Sequence, residues 1–107
     1  MTYQTKQEDN ELIYTFSGRM DTVVCMDIKN GVQEEVDRLI NEKGSDGNAL
    51  KVIFNLGEVN YIASSFLRLC SAVAQKVEHA NFEIINSNPS VRKVFKIAGL
   101  DNIIKIK

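Results

Sequence analysis

Hydrophobic and polar residues alternate in one clear segment near the N-terminus. From Glu11 to Ser17, three large apolar side chains occupy every second position. A period of two is typical of a β-strand, and Gly18 is predicted to end it. The polar, alternating segment from Thr2 to Gln7 is predicted to be an edge strand, with a turn at Glu8 to Asn10 between the two.

A longer periodicity, of three and four residues, runs from about Thr22 to Lys43 and predicts an amphipathic helix. Asp21 or Thr22 is predicted to cap its start, and the segment Gly44 to Asn48 is predicted to be a flexible loop. The apolar positions of this helix are Cys25, Ile28, Val32, Val36, Leu39 and Ile40.

A short strand is predicted from Lys51 to Leu56. It is apolar on both faces, which indicates a central strand that is covered on two sides or lies near an end. The segment Gly57 to Ser64 is predicted to be a loop at the carboxyl end of this strand, where parallel sheets carry their functional face. A second amphipathic helix is predicted to begin near Ser64 or Ser65, with Phe66, Leu69, Cys70, Val73, Ala74 and Val77 on its apolar stripe.

The C-terminal third continues the alternation of strands and helices. Phe82 to Asn86 is predicted to be a strand, and Asn88 followed by Pro89 predicts the start of a third helix, which Gly99 should end. The isoleucines from Ile103 to Ile106 predict a last strand or an extended tail. The order β-β-α-β-α-β-α-β predicts a single α/β domain over residues 1–107, with a mixed sheet, parallel central strands, an N-terminal hairpin and helices packed on it.

Composition narrows the function without assigning it. The 107 residues are 44% hydrophobic and carry a net charge of −1, so no basic excess suggests nucleic acid as a partner. The longest apolar runs are too short to span a membrane, and the N-terminus lacks the apolar core of a signal peptide. We therefore expect a cytoplasmic protein. Cys25 and Cys70 lie among apolar residues and are predicted to be small buried hydrophobes.

Sequence motifs for catalysis or cofactor binding are missing. The chain has two separated cysteines and a single histidine, His79, which we expect at the surface near the end of the second helix. No glycines flank the serine pair as a nucleophile elbow requires, and no dinucleotide or P-loop motif occurs. We therefore expect no catalytic residues, no metal site and no cofactor. A small-molecule ligand is not expected unless the structure contains a large apolar pocket.

Several segments, in order and at matching spacing over essentially the whole chain, resemble the STAS domain family of anti-sigma factor antagonists. Gly18 to Asp21 resembles the family's motif after the second strand, and Ser64 to Leu67 resembles its serine-serine-glycine-leucine helix start. The further matching segments are Lys51–Leu56, Val59–Ile62, Ile85–Phe95 and Ala98–Leu100.

The resemblance implies a bacterial protein that takes part in partner switching during transcription regulation. Such a domain binds an anti-sigma factor that is also a serine protein kinase, and the kinase phosphorylates the first serine of the pair. By position that serine is Ser64, with Ser65 as its rival. The surface implied for partner binding consists of Asp21, Asn60, Tyr61, Ile62, Ala63, Ser64, Ser65, Phe66, Leu67 and Arg68.

Three positions depart from the family pattern. Ala63 and Asn55 stand where aspartates are usual, and Phe66 replaces the glycine after the serine pair. A second hypothesis follows, in which the domain is an accessory or scaffold subunit of a transporter or stress-sensing complex and is not phosphorylated.

Most of the implied partner residues also have an ordinary structural interpretation. Taken alone, Ser64 is most simply an N-cap and Asp21 a helix cap. At least one of Phe66 and Leu67 is expected in the core, and Arg68 is expected at the solvated surface.

Overall fold

The computed structural model describes residues 3–43, 50–78 and 81–107 and has the predicted order of elements. The predicted loop at 44–48 and His79 lie outside the described residues. The strands are β1 (Tyr3–Glu8), β2 (Glu11–Met20), β3 (Lys51–Ile62), β4 (Phe82–Ile85) and β5 (Lys105–Ile106). The helices are α1 (Thr22–Lys43), α2 (Ser64–Val77) and α3 (Pro89–Ile97), and a 3-10 turn (Leu100–Asn102) precedes β5.

The five strands form one sheet in sequence order, β1-β2-β3-β4-β5. The N-terminal hairpin is antiparallel, with Tyr3 opposite Phe16, whereas the remaining strands are parallel. Parallel neighbours in sequence order require a helical crossover at each step, and right-handed crossovers in one direction place all helices on the same face. The predicted mixed α/β fold is confirmed.

The hydrophobic core lies between the helices and that one face of the sheet. Alternate residues of β2 and β3 point into it, and the aromatic rings of Tyr14, Phe16, Phe54 and Phe66 are fully buried there. Tyr14 also fixes α1, because its hydroxyl donates a hydrogen bond of 2.6 Å to Glu35 Oε1. Aromatic pairs within about 4.5 to 7 Å add to the free energy gained by burying their surface.

Within the described residues no helix packs on the opposite face of the sheet, so β3 is central, as predicted, but is not covered by helices on two sides. Ile53 lies on this face and is only 7% exposed, although it is outside the main core cluster. Its neighbours across the sheet are Ile13 and Glu83. Glu83 in turn receives Lys51 at 3.8 Å and Lys107 at 3.4 Å. On this face of β3, Ile53 is therefore shielded from solvent by the side chains of the neighbouring strands and not by a helix.

Strands β2 and β3 are longer than predicted, and the predicted Gly57–Ser64 loop is wrong up to Ile62. Gly18 does not end β2, because two register shifts, at Thr15/Ser17 and at Gly18/Arg19, allow pairing to continue to the Met20–Ile62 pair. Gly18 adopts φ of +87°, a conformation that glycine reaches without a side-chain clash. Asn55 Oδ1 accepts hydrogen bonds from the Gly57 N–H (3.0 Å) and from Asn86 Nδ2 (3.2 Å) and supports the irregular region.

The helix starts follow the sequence with one exception. The carboxylate of Asp21 accepts a hydrogen bond from the Val24 N–H at 3.0 Å, and Asn88 does the same for Val91 at 2.8 Å. The prediction that Ser64 caps α2 is wrong. Ala63 is the N-cap residue, with φ −94° and ψ 168° and no side-chain hydrogen bond, and Ser64 is the first helical residue.

Candidate functional site

The starts of α1 and α2 lie side by side at the edge of the sheet that is formed by the carboxyl ends of β2 and β3. Met20 and Ile62, the last residues of β2 and β3, are paired, and the Ala63 N–H donates to the Met20 carbonyl at 2.9 Å. Each helix begins within two residues of this pair. The first N–H groups of a helix lack intrahelical acceptors and carry a partial positive charge. This edge therefore favours a negative charge placed on it.

The two serines at the start of α2 differ in accessibility. Ser64 is exposed to solvent. Ser65 is half-buried, and its Oγ atom is fully buried without a hydrogen-bond partner among the residues that the structure describes. The structure thus exposes Ser64 and buries the hydroxyl of its rival Ser65.

Ser65 lies beside Cys25 of α1. The Cys25 thiol donates a long hydrogen bond of 3.8 Å to the Met20 carbonyl. Burial raises the pKa of the Cys25 thiol. The nearby Ser65 hydroxyl lowers this pKa by a smaller amount, although the contact between the two side chains does not have the geometry of a hydrogen bond. Cys70 is completely buried, and desolvation also raises its pKa. A raised pKa leaves both thiols protonated near neutral pH, which agrees with their predicted role as small buried hydrophobes.

Exposed cationic and aromatic groups flank the serine pair. Tyr61 is 42% exposed, and the Arg19 guanidinium lies over its ring at 4.3 Å from the centroid. Such a cation–π contact holds both side chains at the surface at the end of β2 and β3. Arg68, one helical turn after Ser64, is also exposed. These side chains give this edge a surface suited to protein contact, in which aromatic residues and arginine are common.

The sequence-derived partner residues do not all reach the surface. Asn60, Tyr61, Ser64 and Arg68 are exposed, and Asp21, Ala63, Ser65 and Leu67 are half-buried. Ile62 (4% exposed) and Phe66 (0%) belong to the core. Phe66 packs edge-on against Phe16 with ring centroids 5.3 Å apart. Ile62 and Phe66 therefore hold the surface in place from below, and their side chains offer almost no area to a partner.

Helix α1 contributes residues that sequence reasoning missed. Val23 is 68% exposed and Met26, three residues on along α1, is 64% exposed. Met26 also lines a groove between α1 and α2 together with Ser65 and Arg68. The signal was present in the sequence, because Val23 and Met26 are apolar but fall outside the core-facing stripe of the helix. Exposed apolar side chains that lie close together often mark an interaction surface.

Known proteins place the chain in a family. A family model described as the STAS domain matches residues 2–107, whereas no curated protein sequence matches significantly. The fold is similar to that of the unphosphorylated anti-sigma factor antagonist SpoIIAA, with a TM-score of 0.73, 19% identity, and coverage of 98% of this chain and 87% of that one. A Thermotoga maritima protein assigned as an anti-sigma factor antagonist gives a TM-score of 0.80 and 20% identity, with 97% and 84% covered. An anti-sigma factor antagonist from Mycobacterium paratuberculosis gives 0.72 and 17%, with 98% and 83% covered.

These likenesses establish the fold.

Among the described residues, no helix is long and apolar enough to cross a membrane.

Proposed function

The chain belongs to the STAS domain family, and on this basis we propose that it is an anti-sigma factor antagonist switched by phosphorylation at Ser64. It acts as a regulatory protein-binding module without catalytic activity of its own. Its partner is an anti-sigma factor with serine kinase activity, which supplies the ATP and the magnesium. The observation that carries the proposal is the exposed Ser64 at the edge where α1 and α2 begin together.

We expect the fold to tolerate a phosphate on Ser64. A phosphoserine carries a charge of about −1.5 to −2 and three acceptor oxygens. At the first position of α2 it meets free N–H groups and the positive end of the helix. Arg68 lies on the same side of the helix four residues on. Phosphorylation therefore changes the surface that a partner meets while the domain stays folded.

The expected effect on binding is large. A new charge in a contact surface must lose water and repels any acidic group that faces it. Each loss of about 1.4 kcal/mol weakens binding tenfold. A loss of about 3 kcal/mol is thus enough to release the partner at concentrations where the unmodified domain stays bound.

Partner capture from extracts of the native cells tests the proposal. Wild type, Ser64→Ala and Ser64→Asp are immobilised, and captured proteins are identified by mass spectrometry. Wild type and Ser64→Ala should retain an anti-sigma factor with a kinase fold, and Ser64→Asp should lose it. Ser90→Asp is a matched control, since Ser90 is exposed in the first turn of a different helix, α3. Equal capture by Ser64→Ala and Ser64→Asp would refute the switch.

Two residues favour the second candidate, an accessory or scaffold subunit that is not phosphorylated. Ala63 and Asn55 stand where the family usually has aspartates. In this fold Asn55 has a structural role, since its side chain bonds the Gly57 N–H and Asn86. Under this alternative the same capture experiment returns transporter or scaffold subunits, and the Ser64 variants bind them alike.

A further inference from the structure

The groove between α1 and α2 has a volume of about 380 Å³, within the range that binds small molecules. Its walls are one side of α1 from Thr22 to Gln33 and one side of α2 from Ser65 to Ala72. At 1.5 Å per residue the α1 wall is about 16 Å long. Beyond the groove, Lys76 of α2 bridges to Asp37 of α1 at 2.9 Å and joins the two helices. The groove is thus elongated and bounded at one end.

The floor of the groove is apolar. Cys25 and Leu69 are 2% and 3% exposed and form its base, and Ala72 leaves the far part of the α2 wall shallow. Met26 is 64% exposed and stands at the rim, where its flexible side chain adapts to what lies beneath it. An aliphatic chain laid along this floor would remove apolar surface from water, which is favourable.

The rim of the groove is cationic. Lys29 projects from the α1 wall and Arg68 from the α2 wall, and both are exposed. Neither forms an ion pair with a carboxylate within the described parts of the chain, and none of the lining residues is acidic. An anion bound in the groove would be attracted by the cation on each wall. Arginine in particular matches a carboxylate with paired hydrogen bonds.

We propose that this groove binds an aliphatic carboxylate, with the head group between Lys29 and Arg68 and the chain over Leu69 and Ala72. The complementarity has two parts, an apolar floor for the chain and two exposed cations for the head group. The groove shares Arg68 with the surface around Ser64, but binding of the carboxylate does not require phosphorylation of Ser64.

Titration of the purified protein with octanoate tests the site directly. Backbone amide shifts in nitrogen–proton correlation spectra should move on α1 and α2 and saturate. Octanol, which keeps the chain without the charge, should bind at least tenfold more weakly, and acetate, which keeps the charge without the chain, should not saturate. The double variant Lys29→Gln with Arg68→Gln should weaken octanoate at least tenfold and leave octanol unchanged.

A matched double variant separates this site from general attraction to cations. Lys93 and Lys96 are exposed on α3, away from the groove, and replacing both by glutamine changes the net charge equally. This variant should bind octanoate like wild type. The proposal is overturned if octanol binds as well as octanoate, if the shifts lie outside α1 and α2, or if no saturable binding occurs. Loss of partner capture in Lys29→Gln with Arg68→Gln, without any octanoate binding, would instead assign the groove to the protein partner.

Discussion

Replacement of Phe66 by alanine should destabilise the domain strongly, although the serine-serine-glycine-leucine motif that the sequence resembles has glycine at this position. The Phe66 ring is fully buried. It lies 5.3 Å from Phe16 in an edge-on arrangement and 6.0 Å from Phe54. The residue therefore links the start of α2 to both central strands through the aromatic core.

The magnitude follows from the burial. Truncation of a buried phenylalanine to alanine costs about 3 to 5 kcal/mol, because apolar burial is lost and a cavity remains. Domains of this size have a total stability of about 5 to 15 kcal/mol, so the loss is a large share. At about 4 °C per kcal/mol the melting temperature should fall by about 12 to 20 °C.

Urea unfolding followed by circular dichroism measures the change in the free energy of unfolding for Phe66→Ala. Leu67→Ala is the matched control, because Leu67 is adjacent and only half-buried, and it should lose clearly less. Phe66→Leu keeps most of the volume, should cost less than Phe66→Ala, and should still capture the partner. A loss below about 1 kcal/mol for Phe66→Ala would refute the core assignment, and loss of partner capture by stably folded Phe66→Leu would make the ring a partner contact.

Three further changes test the supports of the site. Asp21→Ala should lower the free energy of unfolding by about 1 kcal/mol through loss of the α1 cap, whereas Asp21→Asn should keep most of it; equal losses in urea unfolding would contradict the cap. Tyr14→Phe should cost about 1.5 kcal/mol, because it removes a hydrogen bond to a carboxylate. Burial and the Glu35 contact raise the Tyr14 pKa above that of the unfolded chain, so wild-type stability should fall as the pH rises above about 10, and Tyr14→Phe should reduce that fall. Asn55→Ala should speed amide hydrogen exchange from Gly57 to Ile62, and unchanged exchange there would show that the Asn55 side chain does not support the irregular strand.

The sequence predicted the order of elements well because each helix and most strands bury one face. The i, i+3, i+4 stripe of α2 matches its buried residues. The resemblance to the family also located the serine pair correctly at the start of α2. In these regions the residues that the local pattern marks as apolar are the residues that the tertiary structure buries.

The errors occurred where non-local pairing decides the structure. Gly18 and Gly57 suggested the ends of strands. However, β2 and β3 continue past these glycines, because the two strands still form hydrogen bonds with each other after two register shifts. Ser64 has a side chain suited to capping, but the Ala63 N–H donates to the Met20 carbonyl, and the helix begins one residue earlier than a Ser64 cap would require. The sequence shows that Val23 and Met26 fall outside the core-facing stripe of α1, but the place of Met26 on a groove with α2 depends on how the two helices pack, which no local pattern contains.

The most direct test of the central claim is intact-mass spectrometry with site mapping on protein purified from its native cells under several growth and stress conditions. We predict a fraction with one added phosphate that maps to Ser64, and no phosphate on the buried Ser65 hydroxyl. Protein that carries no phosphate at Ser64 under any of these conditions, while it still captures its partner, would contradict the switch.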